Sequence, residues 1–287
     1  MRLPFVVLSP ICVFLGVSTV IAHQGDIDPL MLALVTLGGV LAAISANVFN
    51  EYLDFKSGLD FLTNRTLFSG GSGALPANPA MHRAVLGLAF ITLLLTLAVG
   101  VIVIYSTGLA ILPIGFLGVL LIILYTGWLN EKPILCLISP GLGYGILMVV
   151  GSQVVLEGQY KMLSFGVALV PFFLANNLLL LNQYPDIDAD ITVGRNHLAI
   201  AYGTNIANWA YGFFATATLV AILLPVVLGY LPSLSLIALL PMPLAFYALY
   251  GGIKYQKLIG EHVRFLAANA AVSLLAPLLL GVSLIFI

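Results

Sequence analysis

Long apolar runs separated by short polar connections make up most of this chain. Runs able to cross about 30 Å of hydrocarbon recur nine times and predict helices near 4–22, 30–50, 84–105, 108–129, 133–155, 163–183, 205–229, 233–253 and 265–287. A membrane β-barrel would need segments of alternating hydrophobicity, and these are absent. The pattern therefore predicts an all-α polytopic membrane protein of about nine transmembrane helices, with a single transmembrane domain over 1–287. The first run has features of a signal peptide, with Arg2 as n-region and Val20-Ile21-Ala22 as cleavage site. Its apolar stretch is too long for an ordinary h-region, so a retained helix is expected.

Composition strengthens this reading. The chain is 61% hydrophobic and 7% charged, with a mean hydropathy of +1.14, where soluble domains carry about 25% charged residues. A net charge of −1 implies no nucleic-acid partner. Cys12 and Cys136 fall in apolar segments and form no metal or disulfide pattern. Basic residues in the loops give the orientation. With the N-terminus inside, one side receives Arg2, Lys56, Arg65, Arg83, Lys132, Arg195, Lys254, Lys257 and Arg264, and the other only Lys161. A cytoplasmic N-terminus is expected, in a prokaryotic inner (cytoplasmic) membrane. The 254–264 loop reads as a topology signal.

Charge is rare here, so its clustering carries information. Six of the eleven acidic residues lie in two stretches, NEYLDFKSGLD at 50–60 and NQYPDIDADITVGR at 182–195. Asn50 and Asp54 recur as Asn182 and Asp186, each shifted by 132. On a helix, Asn47, Asn50 and Asp54 share a face, and Glu51 with Asp54 form an i, i+3 pair. Gly58 is expected to end that helix, leaving Asp60 just beyond it. Pro185 disfavours helical geometry at Tyr184. The sixth helix is therefore expected to break near Asn182, and a new turn carries Asp186 and Asp190 on one face while Asp188 points away. Both clusters fall on the side taken as cytoplasmic.

The longest polar connection, 61–83, follows the first cluster, and its glycines (Gly70, Gly71, Gly73) allow backbone amides to approach an anion closely. GLGYG at 141–145 reads as small residues for helix packing. Trp128 reads as an interfacial residue, His197 as a loop or interfacial residue, and the last three helices as a hydrophobic wall.

Two facing carboxylate clusters suit a hard divalent cation, and Mg²⁺ commonly bridges carboxylates to substrate phosphates. Lys56, Arg65, Lys132 and Arg195 are placed to grip the phosphate charge. This points to a diphosphate on a hydrocarbon tail. Spacing alone leaves open an ion-coupled secondary transporter, where intramembrane carboxylates at broken helices bind Na⁺ or H⁺. Cytoplasmic placement, accompanying basic residues and the Gly-rich loop favour the enzyme.

With DIDADITVGRNHLA after the sixth helix and NEYLDFKSGLD with SGGSGALP after the second, the chain resembles the UbiA superfamily of intramembrane prenyltransferases over essentially its whole length. It is closest to the MenA-like branch, which transfers a polyprenyl group to 1,4-dihydroxy-2-naphthoate in menaquinone synthesis. The resemblance implies a nine-helix bundle and Mg²⁺-dependent transfer from a polyprenyl diphosphate to an aromatic acceptor. Asp54, Asp186 and Asp190 match metal-binding aspartates, and Glu51 stands where the family usually has Asp. Asn50 and Asn182 match the polar positions heading each motif, and Asp60 the last aspartate of the first. Lys56, Arg65 and Arg195 match basic positions near the diphosphate, with Lys132 beside them. Tyr144 stands near where many members of that branch carry an acidic residue, which leaves another acceptor open.

Overall fold

The computed structural model describes residues 3–286, so Arg2, one of the nine basic residues behind the expected orientation, and Ile287 lie outside the described residues. Nine helices among these are long and apolar enough to span a membrane. They are α1 (Pro4–Ala22), α2 (Pro29–Ser57), α3 (Pro79–Thr107), α4 (Leu109–Gly127), α5 (Pro133–Glu157), α6 (Met162–Thr192), α7 (Gly203–Val227), α8 (Ser233–Glu261) and α9 (Val263–Ile285). No strand occurs among the described residues.

Helix α2 shows how local chemistry sets the ends. Asp28 caps its start, accepting from the amides of Leu30 at 2.7 Å and Met31 at 3.4 Å, and Pro29 takes the first helical position. The helix then runs past the predicted end at 50, because the first acidic motif is itself helical, and closes at Gly58 in the left-handed conformation. Helix α8 departs further from the expected span. Its first part, Ser233–Leu239, is a 3₁₀ helix, and the α-helix proper is Met242–Tyr255.

Helix α6 is the central pole, packed by α5, α7 and α9. Its contact with α5 depends on small residues, as the sequence predicts: a Cβ on Gly141 would fall 2.4 Å from the Phe172 carbonyl oxygen, and one on Gly145 2.5 Å from the Phe172 nitrogen. The same segment, Gly141–Val150, is a π-helix. Pro140 has no amide hydrogen, and the Gly141 amide is shared between the Ile138 carbonyl and Asn176 Oδ1, the latter at 2.7 Å, so the ordinary ladder is interrupted.

The last three helices are less of a hydrophobic wall than expected. Tyr211 on α7 donates its hydroxyl to Asn269 Oδ1 on α9 at 2.8 Å. The amides of Asn177 and Asn269 close the triangle on the carbonyls of Tyr211 (3.1 Å) and Asn177 (3.0 Å). Such intramembrane hydrogen bonds average about 0.6 kcal/mol each. Their main effect here is to fix the rotation of α6, and with it the motif at its end. Helix α4 is peripheral, with only Ile122 buried.

Candidate active site

Both acidic motifs lie at one end of the bundle, where α2 and α6 finish. The α-helical part of α6 stops at Asn182, a 3₁₀ turn covers Tyr184–Asp186, and a short helix, Ile187–Thr192, follows. This is the break that Pro185 predicts. It buries Asp186 and Asp190 and leaves the Asp188 side chain 78% exposed, paired with Lys257 at 2.5 Å. The turn Gln256–Glu261 that carries Lys257 packs on Tyr184–Asp186. The 254–264 loop, expected only as a topology signal, therefore braces the second motif.

The motifs meet across Arg195. Its Nη1 donates to Asp190 Oδ1 at 3.1 Å and its Nη2 to Asp54 Oδ1. Burial pulls its pKa down, but Asp54 and Asp190 more than offset this, so the pKa is raised and the guanidinium stays charged. Asp54 is held in turn by Asn50, whose Nδ2 donates to Asp54 Oδ2 at 2.9 Å, while Thr126 Oγ1 on α4 donates to Asn50 Oδ1 at 3.2 Å. His197, expected at an interface or in a loop, is buried with its Nε2 3.2 Å from Asp190 Oδ2. Its place in the chain is a loop end, but its side chain belongs to the site.

The Gly-rich connection brings its amides to the protein's own carboxylates. Gly70 N–H donates to Asp186 Oδ2 at 3.0 Å, so a loop following the first motif holds the second. Ser72 donates through its amide to Glu51 Oε2 at 3.4 Å and through its hydroxyl to Glu51 Oε1. Arg65 Nη2 reaches the Asp60 carbonyl at 3.0 Å. Gly71 has φ of +71°, and a Cβ there would fall 2.7 Å from Asp60 Oδ1. Gly71→Ala is expected to cost about 1–2 kcal/mol for the left-handed backbone alone, with a further penalty for that contact. Thermal unfolding in nanodiscs checks this against Gly87→Ala, an open helical position expected to be neutral or stabilising.

Two cavities adjoin here. A small polar one is lined by Asn50, Tyr125, Asn130, Gln183, Asp186, Asp190, Arg195 and His197. A large apolar one, of about 630 Å³, runs between α2, α3, α4 and α5. They share Asn50, Tyr125 and Leu179. Of the residues picked from sequence, the structure gathers Asn50, Asp54, Asp186, Asp190 and Arg195. Glu51 and Asp60 are buried beside them against the loop. Asn182 is buried a turn earlier and lines neither cavity, and Lys56 and Lys132 are exposed at the rim. Lys132 lies 6.0 Å from the centroid of the half-exposed Trp128 ring. Sequence reasoning missed His197, Tyr125, Thr126 and Asn130. The only sequence signal for them is polarity at the membrane level of the motifs.

The donor set fits a hard divalent cation, since Glu51, Asp54, Asp60, Asp186 and Asp190 concentrate buried carboxylate oxygens at one end of the bundle. Among the described residues no three acidic, His or Cys side chains already converge on one ion-sized point. Arg195 stands between Asp54 and Asp190 instead.

The chain is 30% identical over 171 residues to a protoheme IX farnesyltransferase from Gloeobacter violaceus, covering 57% of this chain and 53% of the relative. It is 28% identical over 180 residues to a 1,4-dihydroxy-2-naphthoate octaprenyltransferase from Bacillus subtilis, covering 62% and 56%. The matched stretches thus span just over half the length of each relative. Among solved structures, a ligand-free UbiA homologue from Aeropyrum pernix shares the fold with a TM-score of 0.74 at 15% identity, over 98% of this chain and 97% of that one. A UbiA homologue from Archaeoglobus fulgidus, solved bound to DMAPP and Mg²⁺, gives 0.67 at 16% identity, over 100% and 99%. The model of the UbiA prenyltransferase family matches residues 9–270. With that match running over nearly its whole length and nine candidate spans among the described residues, the chain is an integral membrane protein and belongs to the UbiA prenyltransferase family.

Proposed function

We propose that the protein transfers an isoprenyl group from a polyprenyl diphosphate to 1,4-dihydroxy-2-naphthoate or a related aromatic quinone precursor. The observation that supports this most is that the polar residues of the motifs and the large apolar cavity are neighbours, with Asn50, Tyr125 and Leu179 lining both the polar recess and the apolar cavity. Charged groups at one end and apolar walls along the rest suit a molecule with a polyanionic head and a long hydrocarbon tail. It suits an ion path poorly, because the large cavity has no charged residue in its lining. The excess of basic residues in the loops on the motif side supports a cytoplasmic motif face.

Asp54, Asp186, Asp190 and Glu51 would hold Mg²⁺, which when bound neutralises charge on the departing diphosphate. Arg195 donates from the same cavity and is the nearest guanidinium to grip the diphosphate as the carbon–oxygen bond breaks. Asn50 and Thr126 keep Asp54 oriented. Asp60 and Arg65 anchor the loop that positions Asp186, and Asn182, Lys56 and Lys132 act from the motif flank and the rim. The apolar walls exclude water from the allylic cation until the electron-rich acceptor carbon captures it. With dihydroxynaphthoate as acceptor, family resemblance implies loss of its carboxylate as CO₂ in the overall reaction.

Membranes containing the protein, given labelled geranylgeranyl diphosphate, Mg²⁺ and dihydroxynaphthoate, are expected to release diphosphate and form a labelled prenyl lipid. EDTA should stop both. Protoheme IX is the second acceptor to test, given the farnesyltransferase relative. If no acceptor is consumed and ion-gradient-driven uptake appears instead, the transporter reading replaces this one.

A further inference from the structure

The large cavity carries one polar feature that loss of diphosphate leaves unused. No charged residue lines it. Of its polar lining residues, Asn50 and Tyr125 also line the polar recess. Thr96, Ser139 and Ser152 return their hydroxyls to carbonyls four residues earlier in their own helices. That leaves Asn47 on α2 and Tyr144 on α5. The Tyr144 hydroxyl is in hydrogen-bonding contact with the Asn47 side chain across the two helices, and Asn47 Nδ2 donates to the Ala43 carbonyl at 2.8 Å. These bonds do not use up the pair, since an amide offers two donors and a carbonyl oxygen, and a phenol both donates and accepts. Both side chains are only half-buried and line the cavity, so the remaining capacity faces it. Polar groups at membrane depth are costly, and their default reading is functional.

Around the pair the walls are low. Beside Asn47 the lining is Ala42, Ala43 and Ala46, and beside Tyr144 it is Pro140 and Gly143. A Cβ on Gly143 would meet nothing within 4 Å. The Phe5 ring lies 5.8 Å from the Tyr144 ring, tilted by 37°, so a third ring placed here has aromatic faces and edges to pack on. Asn47 precedes Asn50 by three residues, about 4.5 Å along the helix. The pair therefore adjoins the motif end of the cavity, where the carbon–oxygen bond of the donor is to break.

Resting on the function proposed above, we propose that this slot holds the aromatic acceptor, with an uncharged ring hydroxyl bound by Asn47 and Tyr144. An anionic substituent would find no partner among the lining residues, so the end of the acceptor that enters carries a hydroxyl and no carboxylate. In 1,4-dihydroxy-2-naphthoate that group is the 4-hydroxyl, the one farther from the carboxylate. Asn47 and Tyr144 are thus specificity residues for the acceptor and take no part in releasing diphosphate.

Equilibrium binding to the full chain in nanodiscs tests this, with Mg²⁺ and an unreactive thiolodiphosphate analogue of the donor present. The two probes are 1,4-dihydroxy-2-naphthoate and 1-hydroxy-2-naphthoate, which lacks the 4-hydroxyl. Wild-type protein should bind the first about tenfold or more tightly, because a site built to bond a hydroxyl rejects the analogue without it. Tyr144→Phe and Asn47→Leu should each cut that ratio about fivefold or more by weakening the dihydroxy compound, while the KM for geranylgeranyl diphosphate stays within about twofold. Melting temperature monitors folding. A pair that only packs the helices would weaken both compounds alike. That result in folded variants, or equal binding of both compounds by wild-type protein, overturns the slot, as does consumption of protoheme IX but not of dihydroxynaphthoate. Failure of wild-type protein to release diphosphate with any acceptor overturns instead the function on which the slot rests.

Discussion

Asp186→Asn is expected to abolish Mg²⁺-dependent diphosphate release, lowering kcat by about 10³-fold, as when an electrostatic stabiliser is removed from a buried site. This substitution isolates charge from structure. Asp186 accepts the Gly70 amide through Oδ2, and the asparagine carbonyl can accept the same bond, so the loop stays docked. What changes is one unit of negative charge and one hard oxygen donor on the face shared with Asp190. Asp54→Asn should behave similarly in rate but also weaken the bond to Arg195. Initial rates of diphosphate release across a Mg²⁺ titration, with melting temperature on the same samples, provide the check. Turnover within tenfold of wild type in both variants would remove these aspartates from the reaction.

The spans, the two motifs and the break at Pro185 were legible because each rests on a local signal: an apolar run, a cluster of rare charge, a missing amide hydrogen. Asp188 was correctly turned outward by helical spacing alone. The fate of the Gly-rich loop was half legible. Its glycines announce close amide contacts, but the choice of Asp186 and Glu51 as targets depends on α2 and α6 ending side by side, a contact across 116 positions for Gly70 and Asp186. His197 was misread for a similar reason. Two residues beyond Arg195 it looks like any loop histidine, and only the fold of the chain after Thr192 buries it against Asp190. The reach of Arg195 to Asp54, 141 positions away, likewise has no local signature. The separation of α3 and α4 was invisible too, since two consecutive apolar helices predict neighbours in contact, and here both pack on α2 instead.

Arg195→Gln is expected to have the second large effect, on stability as well as rate. The guanidinium is shared by Asp54 and Asp190, both almost wholly buried. Removing one partner of a buried ion pair costs about 3–5 kcal/mol, because the remaining charge stays desolvated. For a chain of this size that is a fall of roughly 10 °C in melting temperature. Glutamine keeps a hydrogen-bonding amide but is shorter and supplies no charge. Mg²⁺ should therefore restore much of the loss, since a cation bound only to the folded state at about 100 times its Kd contributes about 2.7 kcal/mol. In wild-type protein the same cation must first displace Arg195 from between the two aspartates, so its stabilising effect without diphosphate should be smaller. Melting curves with EDTA and with rising Mg²⁺, for both proteins and without prenyl diphosphate, separate these cases. Equal Mg²⁺ stabilisation of wild type and variant would mean that Arg195 does not occupy the place between the motifs that a cation takes.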